Sequence, residues 1–215
     1  MNMTMDEIAD ELSSAGVAYL PPGSGVYDEA SWRQIDALIN RPELPWEKIL
    51  IGDADEKNDL HVARFMTDVE VPTYVNLPYS LQMKALVCQP AIMNVFNTLF
   101  DGEAFFIRRM QVNKMKANSF IGKHLDIDSN PDYLYSIVLQ LGKGFSGGAF
   151  TVYGQDGNVS RSITPALGSV VISDCTFAHE VETVTEGDRI SLVFFVSKHA
   201  AKNRRVRVAK DAVMA

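Results

Sequence analysis

The chain is poor in three residue types that often betray a fold or a chemistry: two cysteines, four histidines and two tryptophans among 215 residues. Cys88 and Cys175 cannot build a disulfide scaffold, and they fit a reducing, cytoplasmic setting. No apolar run approaches the roughly 18 residues that span a bilayer; the best, Ile190–Val196, is the size of a strand. The first fourteen residues lack a basic stretch followed by an apolar one, so no secretory leader is expected. There is no repeat and no low-complexity tract. At 47% hydrophobic and 22% charged residues, the composition excludes the disordered and collagen-like classes.

Charge is unevenly placed. The net value is −7, which argues against nucleic acid as the main partner. Six of the twenty Lys/Arg, and no acid, lie in Lys198–Lys210, so the remaining chain is strongly acidic. This tail reads as a basic C-terminal extension over 198–215, either solvated or packed on the acidic body, with contact to a phosphate or an acidic partner as the alternative.

The first hundred residues read as helix and loop. Thr4-Met5-Asp6-Glu7 has capping-box form, and Ile8 and Leu12 give a helical stripe that ends at Gly16. Val17–Leu20 is a short strand, and Asp28–Asn40 a second helix. Residues 41–78, broken by Pro42, Pro45, Pro72 and Pro78, are expected to form long surface loops; Leu81–Phe100 is expected to be helical with a break before Pro90. After Asp101 the texture changes. Ala104–Met115, Tyr133–Leu141, Ala149–Tyr153, Ser169–Ser173 and Ile190–Ser197 are aromatic and β-branched, with glycine turns between them. Helices first and strands later indicate an α+β, mainly β fold, a sandwich or barrel with N-terminal helices buttressing one sheet. One domain is expected: a flank over 1–100, a β core over 101–197 and the extension.

Gly142-Lys143-Gly144-Phe145-Ser146-Gly147 matches the dinucleotide fingerprint letter for letter, but a strand pattern follows where that motif needs a helix, so a glycine-rich turn is expected. The histidines say more. In His124-Leu125-Asp126 an extended backbone puts imidazole and carboxylate on one face. Alone, such a pair is as well explained by an ion pair. With His179, at the start of a later strand, it forms the two-His, one-carboxylate set that holds non-haem Fe(II). On that later strand Arg189 and Ser191 share a face. A guanidinium in an apolar barrel is costly unless it binds an anion, and its planar fork suits a carboxylate.

From His179-Glu180-Val181 through Val184, Gly187 and Arg189 to Ser191-Leu192-Val193-Phe194-Phe195, the segment resembles the closing motif of 2-oxoglutarate/Fe(II)-dependent dioxygenases. It is most similar to the prolyl-4-hydroxylase-like branch, and Gly147-Gly148 and Pro165–Ile172 fit as well. The resemblance covers about residues 104–197; nothing before Asp101 carries a motif.

The resemblance implies a double-stranded β-helix (jelly roll, cupin-like) and a hydroxylase using Fe(II), 2-oxoglutarate and O2. It implies His124, Asp126 and His179 as metal ligands and Arg189, helped by Ser191, as the anchor of the distal carboxylate of 2-oxoglutarate. With Asp126 present the sequence looks like a hydroxylase rather than a halogenase. The branch often has a cosubstrate-contacting tyrosine where this chain has Met115; Gln111 or Asn113, of the same strand parity, can supply the missing hydrogen bond. The expected substrate is a small molecule, an amino acid or natural-product intermediate. A peptide or protein side chain is the alternative within the same mechanism, and a non-catalytic jelly-roll metal or ligand sensor the alternative outside it. Arg64, Asp128 and Tyr133 are candidate substrate residues. Of the adjacent Arg108 and Arg109, only one can face inward on a strand.

Overall fold

The computed structural model describes residues 4–205, so residues 206–215 of the basic extension lie outside the described residues. The elements in order are α1 (Met5–Ala15), β1 (Val17–Leu20), α2 (Glu29–Ile39), β2 (Glu47–Ile51), β3 (Lys57–Asp68), β4 (Pro72–Tyr74), α3 (Tyr79–Val87), α4 (Pro90–Leu99), β5 (Phe106–Met115) and β6 (Phe120–His124). A 3-10 turn (Asp126–Asp128) leads on to β7 (Tyr135–Gln140), β8 (Ser146–Gly147), β9 (Phe150–Tyr153), β10 (Val159–Ile163), β11 (Val170–Asp174), β12 (His179–Val181), β13 (Val184–Glu186) and β14 (Arg189–Ser197).

Local chemistry accounts for the helix ends. The Glu7 amide donates to Thr4 Oγ1 at 3.2 Å and the Thr4 amide to Glu7 at 2.7 Å, a reciprocal cap. Gly16 closes α1 at φ 72°, where a side chain would be strained. The expected helix over Leu81–Phe100 is two helices, with Pro90 opening the second because its missing N–H would be unpaired there anyway.

The expectation of loops over 41–78, in a flank over 1–100 read mainly as helix and loop, is corrected by β2, β3 and β4. The prolines punctuate strand ends instead of interrupting strands, as an imide without a donor must. Between them runs a proline-free stretch whose Asn58, Leu60, Val62 and Arg64 alternate toward one face.

One antiparallel path runs β1-β11-β7-β14-β5-β3-β6-β12-β9-β10, with β2 and β4 also on β3. The path folds over at β3: Ala63 and Arg64 pair with Val112 and Gln111 of β5, while Asn58 pairs with Ile121 of β6. The outer ends approach each other where Arg161 of β10 meets Glu11 of α1 at 2.7 Å. The result is a nearly closed, jelly-roll-like barrel of mostly antiparallel strands with a few helices. The glycine-rich 142–147 segment leads into β8 and β9, not a helix.

β14 shows how two cores share one sheet. Leu192, Phe194 and Val196 face the helices with Met83, Ile92 and Phe96, whereas Val193 and Phe195 face the barrel interior with Val62, Val138 and Phe150. Burial on both faces explains why this strand reads as a nearly continuous apolar run. The interior face is the one that carries the polar exceptions.

Candidate metal centre

β6 ends and β12 begins at one level, because His124 and His179 are register partners in an antiparallel pair. Their ring centroids are 4.5 Å apart. The two strands are hydrogen-bonded neighbours in one sheet, so the second imidazole is delivered by direct pairing. Leu125 keeps an extended backbone (φ −112°, ψ 130°), which turns Asp126 onto the side of His124 before the 3-10 turn begins. Asp126 Oδ1 lies 3.4 Å from His124 Nε2, and Oδ2 lies 3.6 Å from His179 Nε2. One ligand atom from each residue falls within 4.8 Å of the others, a spacing able to hold a metal ion.

The tautomers suit ligation. His124 Nδ1 is 2.8 Å from the Gly122 carbonyl and His179 Nδ1 is 3.1 Å from the Phe177 carbonyl. A carbonyl can only accept, so each Nδ1 carries the hydrogen and each Nε2 offers its lone pair to the centre. The ring of Phe150 stacks on His179 at 5.1 Å. Asp126 Oδ2 is buried without a hydrogen-bond partner, the orphaned acceptor that a cation would satisfy.

Electrostatics agree. Burial works against the Asp126 carboxylate, but the two imidazoles outweigh it and hold its pKa down at about 2. Burial likewise works against a charged His124, yet the bond to Asp126 and its charge carry the imidazole up to about 9. His179, buried and beside a second imidazole, is lowered. Without metal, the trio therefore holds one proton between His124 and Asp126.

Along the interior face of β14, Arg189 is 1% exposed and Ser191 equally covered. Arg189 Nη1 donates to Ser191 Oγ at 3.3 Å and lies 3.8 Å from Met115 Sδ. Its Nε and Nη2 are buried with no partner, and burial pulls its pKa down to about 10, still charged at neutral pH. Such a cation calls for an anion. Gly148, at φ +64°, leaves room for it: an added Cβ would stand 2.9 Å from Arg189 Cδ.

The sequence-derived residues on β5 converge here. Asn113 is opposite Ser191, and Gln111 Nε2 donates to Asn113 Oδ1 at 2.8 Å. Gln111 Oε1 in turn accepts from Arg109 Nε at 2.9 Å. Of the adjacent arginines, Arg109 faces the cavity; Arg108 points the other way into a buried pair with Asp68 at 2.9 Å. Arg64 lines the cavity and pairs with Glu47 at 2.8 Å. Tyr133 is buried flat on Phe195, with centroids 4.7 Å apart, and lines an outer groove that adjoins the cavity at Arg64 and Arg109. Asp128 is exposed on the 3-10 turn and lines neither. Sequence reasoning missed Asn58, Glu56 and Asp53, which also border the cavity. The period-two pattern of β3 was the available signal for Asn58; the turn before it offered none.

A family model described as the 2OG-Fe(II) oxygenase superfamily matches residues 110–197. The crystal structure of an oxidoreductase of the 2OG-Fe(II) oxygenase family from Burkholderia pseudomallei is 38% identical, with 95% of this chain and 96% of that one covered and a TM-score of 0.85. Two more distant structures share the fold. A Pseudomonas putida prolyl-4-hydroxylase has 19% identity, coverage of 91% and 100%, and a TM-score of 0.61. HygX from Streptomyces hygroscopicus, solved with nickel and 2-oxoglutarate bound, has 12% identity, coverage of 91% and 87%, and a TM-score of 0.62. No curated protein matches the chain.

Proposed function

The chain belongs to the 2OG-Fe(II) oxygenase family, and from its cavity we propose that it hydroxylates an unactivated C–H of a small molecule, an amino acid or natural-product intermediate. The family uses Fe(II), 2-oxoglutarate and O2. When bound together they supply the oxidising chemistry, with succinate and CO2 released.

The observation that carries the reading is Arg189. Its two orphaned donors form one edge of a planar fork, buried in a wall with no acid among the described residues to neutralise it. In this reading His124, Asp126 and His179 hold the iron, and Arg189 holds the far carboxylate of 2-oxoglutarate. Ser191 fixes the rotamer of the guanidinium through Nη1. Asn113 takes the place of the tyrosine common in the branch: its carbonyl is engaged by Gln111 and its Nδ2 has no protein partner among the described residues. Val138, Val193 and Phe150 line the rest and keep water out. A metal-only sensor has no use for such an anchor. The largely buried Arg109 on the cavity wall favours a small molecule over a peptide lying in an open groove.

The test is an anaerobic titration of metal-free protein with Fe(II) and 2-oxoglutarate, following the visible charge-transfer band of a chelated 2-oxo acid. His179→Ala and Arg189→Ala run beside the wild type. A band that needs both residues supports the reading; its absence from folded wild-type protein sinks the cosubstrate assignment.

A further inference from the structure

The cavity has a second cationic end that the cosubstrate does not explain. Building on the oxygenase reading, we propose that the primary substrate is a small molecule bearing a carboxylate, which docks on Arg109 and Arg64 at the cavity mouth in exchange for Asp53.

The two cationic ends are far apart. Arg189 is opposite Met115 and Arg109 is opposite Phe195, six residues along β14; at about 3.3 Å per residue the two positions are roughly 20 Å apart. Arg109 is at the level of the metal trio: Asp126 is one of the charges acting on it, and Ser136, the register partner of Phe195, lines the cavity together with Asp126. A substrate held here presents its carbon skeleton toward the metal from the side opposite the cosubstrate anchor.

Cations and acids differ in depth. The side chains of Arg109 and Arg64 are 14% and 21% exposed, whereas those of Asp53 and Glu47 are 49% and 56% exposed. The guanidiniums belong to the wall and the carboxylates to the rim. Asp53 sits on the short turn between β2 and β3, closed by the Gly52 amide donating to the Glu56 carbonyl at 2.9 Å, and reaches inward to Arg109 Nη1. A carboxylate of the chain itself thus shows what the Arg109 fork accepts. Only the acid of this pair is half exposed, so its attraction is partly screened by water and a better-buried anion displaces it.

Donors remain for that anion. Arg109 uses Nε on Gln111 and Nη1 on Asp53; Arg64 uses only Nη1, on Glu47. Among the described residues, Arg109 Nη2 and Arg64 Nε and Nη2 have no hydrogen-bond partner. Gln111 clamps Arg109 Nε, so the fork keeps its aim when Asp53 leaves. Substrate carboxylate for Asp53 is an exchange of like charge, so the balance of charge in the cavity is preserved.

The test is calorimetric titration, under nitrogen, of the full chain loaded with 2-oxoglutarate and Mn(II) as a redox-silent substitute for iron. The probes are proteinogenic amino acids and short 2-hydroxy acids, each beside its carboxamide and, where one exists, its phosphate ester. At least one acid is expected to bind, with its amide at least tenfold weaker. Asp53→Asn, at an exposed position, tightens that acid several-fold; Arg109→Gln weakens it at least tenfold, and Arg109→Lys restores part by keeping the charge without the fork. With Fe(II) in air, the same acid stimulates succinate formation, and its KM rises in Arg64→Gln. The proposal is overturned if amides or phosphate esters bind as well as the acids, if no acid binds, or if binding is indifferent to both the Asp53 and Arg109 variants. The 2-oxoglutarate titration runs alongside: its failure overturns the oxygenase reading itself, whereas a sound titration with a silent acid panel overturns the carboxylate site alone.

Discussion

Arg189 and Met115 face each other across β14 and β5, with the guanidinium Nη1 3.8 Å from the thioether sulfur. A thioether is a weak acceptor and carries no charge. The pairing therefore fills the space beside the cation without neutralising it, which keeps the Nε and Nη2 edge of the guanidinium available for a ligand.

That relationship makes the fork testable separately from the charge. Arg189→Lys keeps a cation but cannot grip a carboxylate through two parallel bonds. We expect 2-oxoglutarate affinity to fall by roughly ten- to hundredfold, the loss of a charge-assisted bidentate contact. Anaerobic titration of the metal-loaded variant measures it, and affinity equal to wild type would refute the anchor.

Metal uptake should depend on pH with a definite sign. His124 is raised to about 9, so at pH 7 the metal-free imidazole carries a proton that a metal must displace. Affinity for Mn(II) is expected to rise with pH until about 9 and then level off, with about one proton released per metal at neutral pH. Calorimetry in buffers of different ionisation enthalpy counts that proton. The same pair acts on the metal-free fold. His124 contributes stability that is present below its unperturbed 6.5 and lost as pH rises through about 9; Asp126 contributes stability that is present above 3.8 and lost as pH falls through about 2.

Loading the site should stabilise the protein. A metal at a hundred times its dissociation constant adds about 2.7 kcal/mol, or roughly 5–11 °C in Tm for a domain of this size. Differential scanning calorimetry with Mn(II), then with excess chelator, checks it. His179→Ala should abolish the increment; an increment that survives in the variant would place the metal elsewhere.

A buried ion pair supports the metal turn from behind. Arg108 and Asp68 have fully buried side chains and meet at 2.9 Å; Asp68 Oδ2 also accepts from Asn130 Nδ2 at 2.7 Å, and the Asn130 amide reaches the Asp126 carbonyl at 3.4 Å. The described part of the basic tail closes over this network, with Asn203 Nδ2 donating to the Asp68 carbonyl at 2.7 Å and Arg204 pairing with Asp132. Asp68→Ala strands a buried guanidinium and should cost about 3–5 kcal/mol. Thermal unfolding reads that loss, and a parallel Mn(II) titration should show weaker binding because the Asp126 turn has lost its backing. An unchanged Tm would contradict the burial of the pair.

The sequence alone carried the His124–Asp126 pair as candidate ligands, the shared face of Arg189 and Ser191, the helix caps and five of the strands after Asp101. These are readable because each depends on neighbours close in the chain: a cap three residues away, a period of two, a chelating pair separated by one residue. Even the inward turn of one of two adjacent arginines follows from strand alternation. Proline was misread as a sign of loops over 41–78, because a proline marks where a strand stops without saying that a strand lies beyond it. What only the tertiary structure decided is which faces meet. β3 closes the barrel by pairing with β5 and β6 at once, and its partners lie 44 to 63 residues away. That closure brings Arg64, Asn58 and the Asp53 turn to the mouth of a cavity whose candidate metal ligands come from the chain after Asp101. The sheet also makes His124 and His179 register partners although they lie far apart in the chain. Register between distant strands is set by the total of buried area and paired hydrogen bonds over the whole sheet, a sum that no local window of sequence contains.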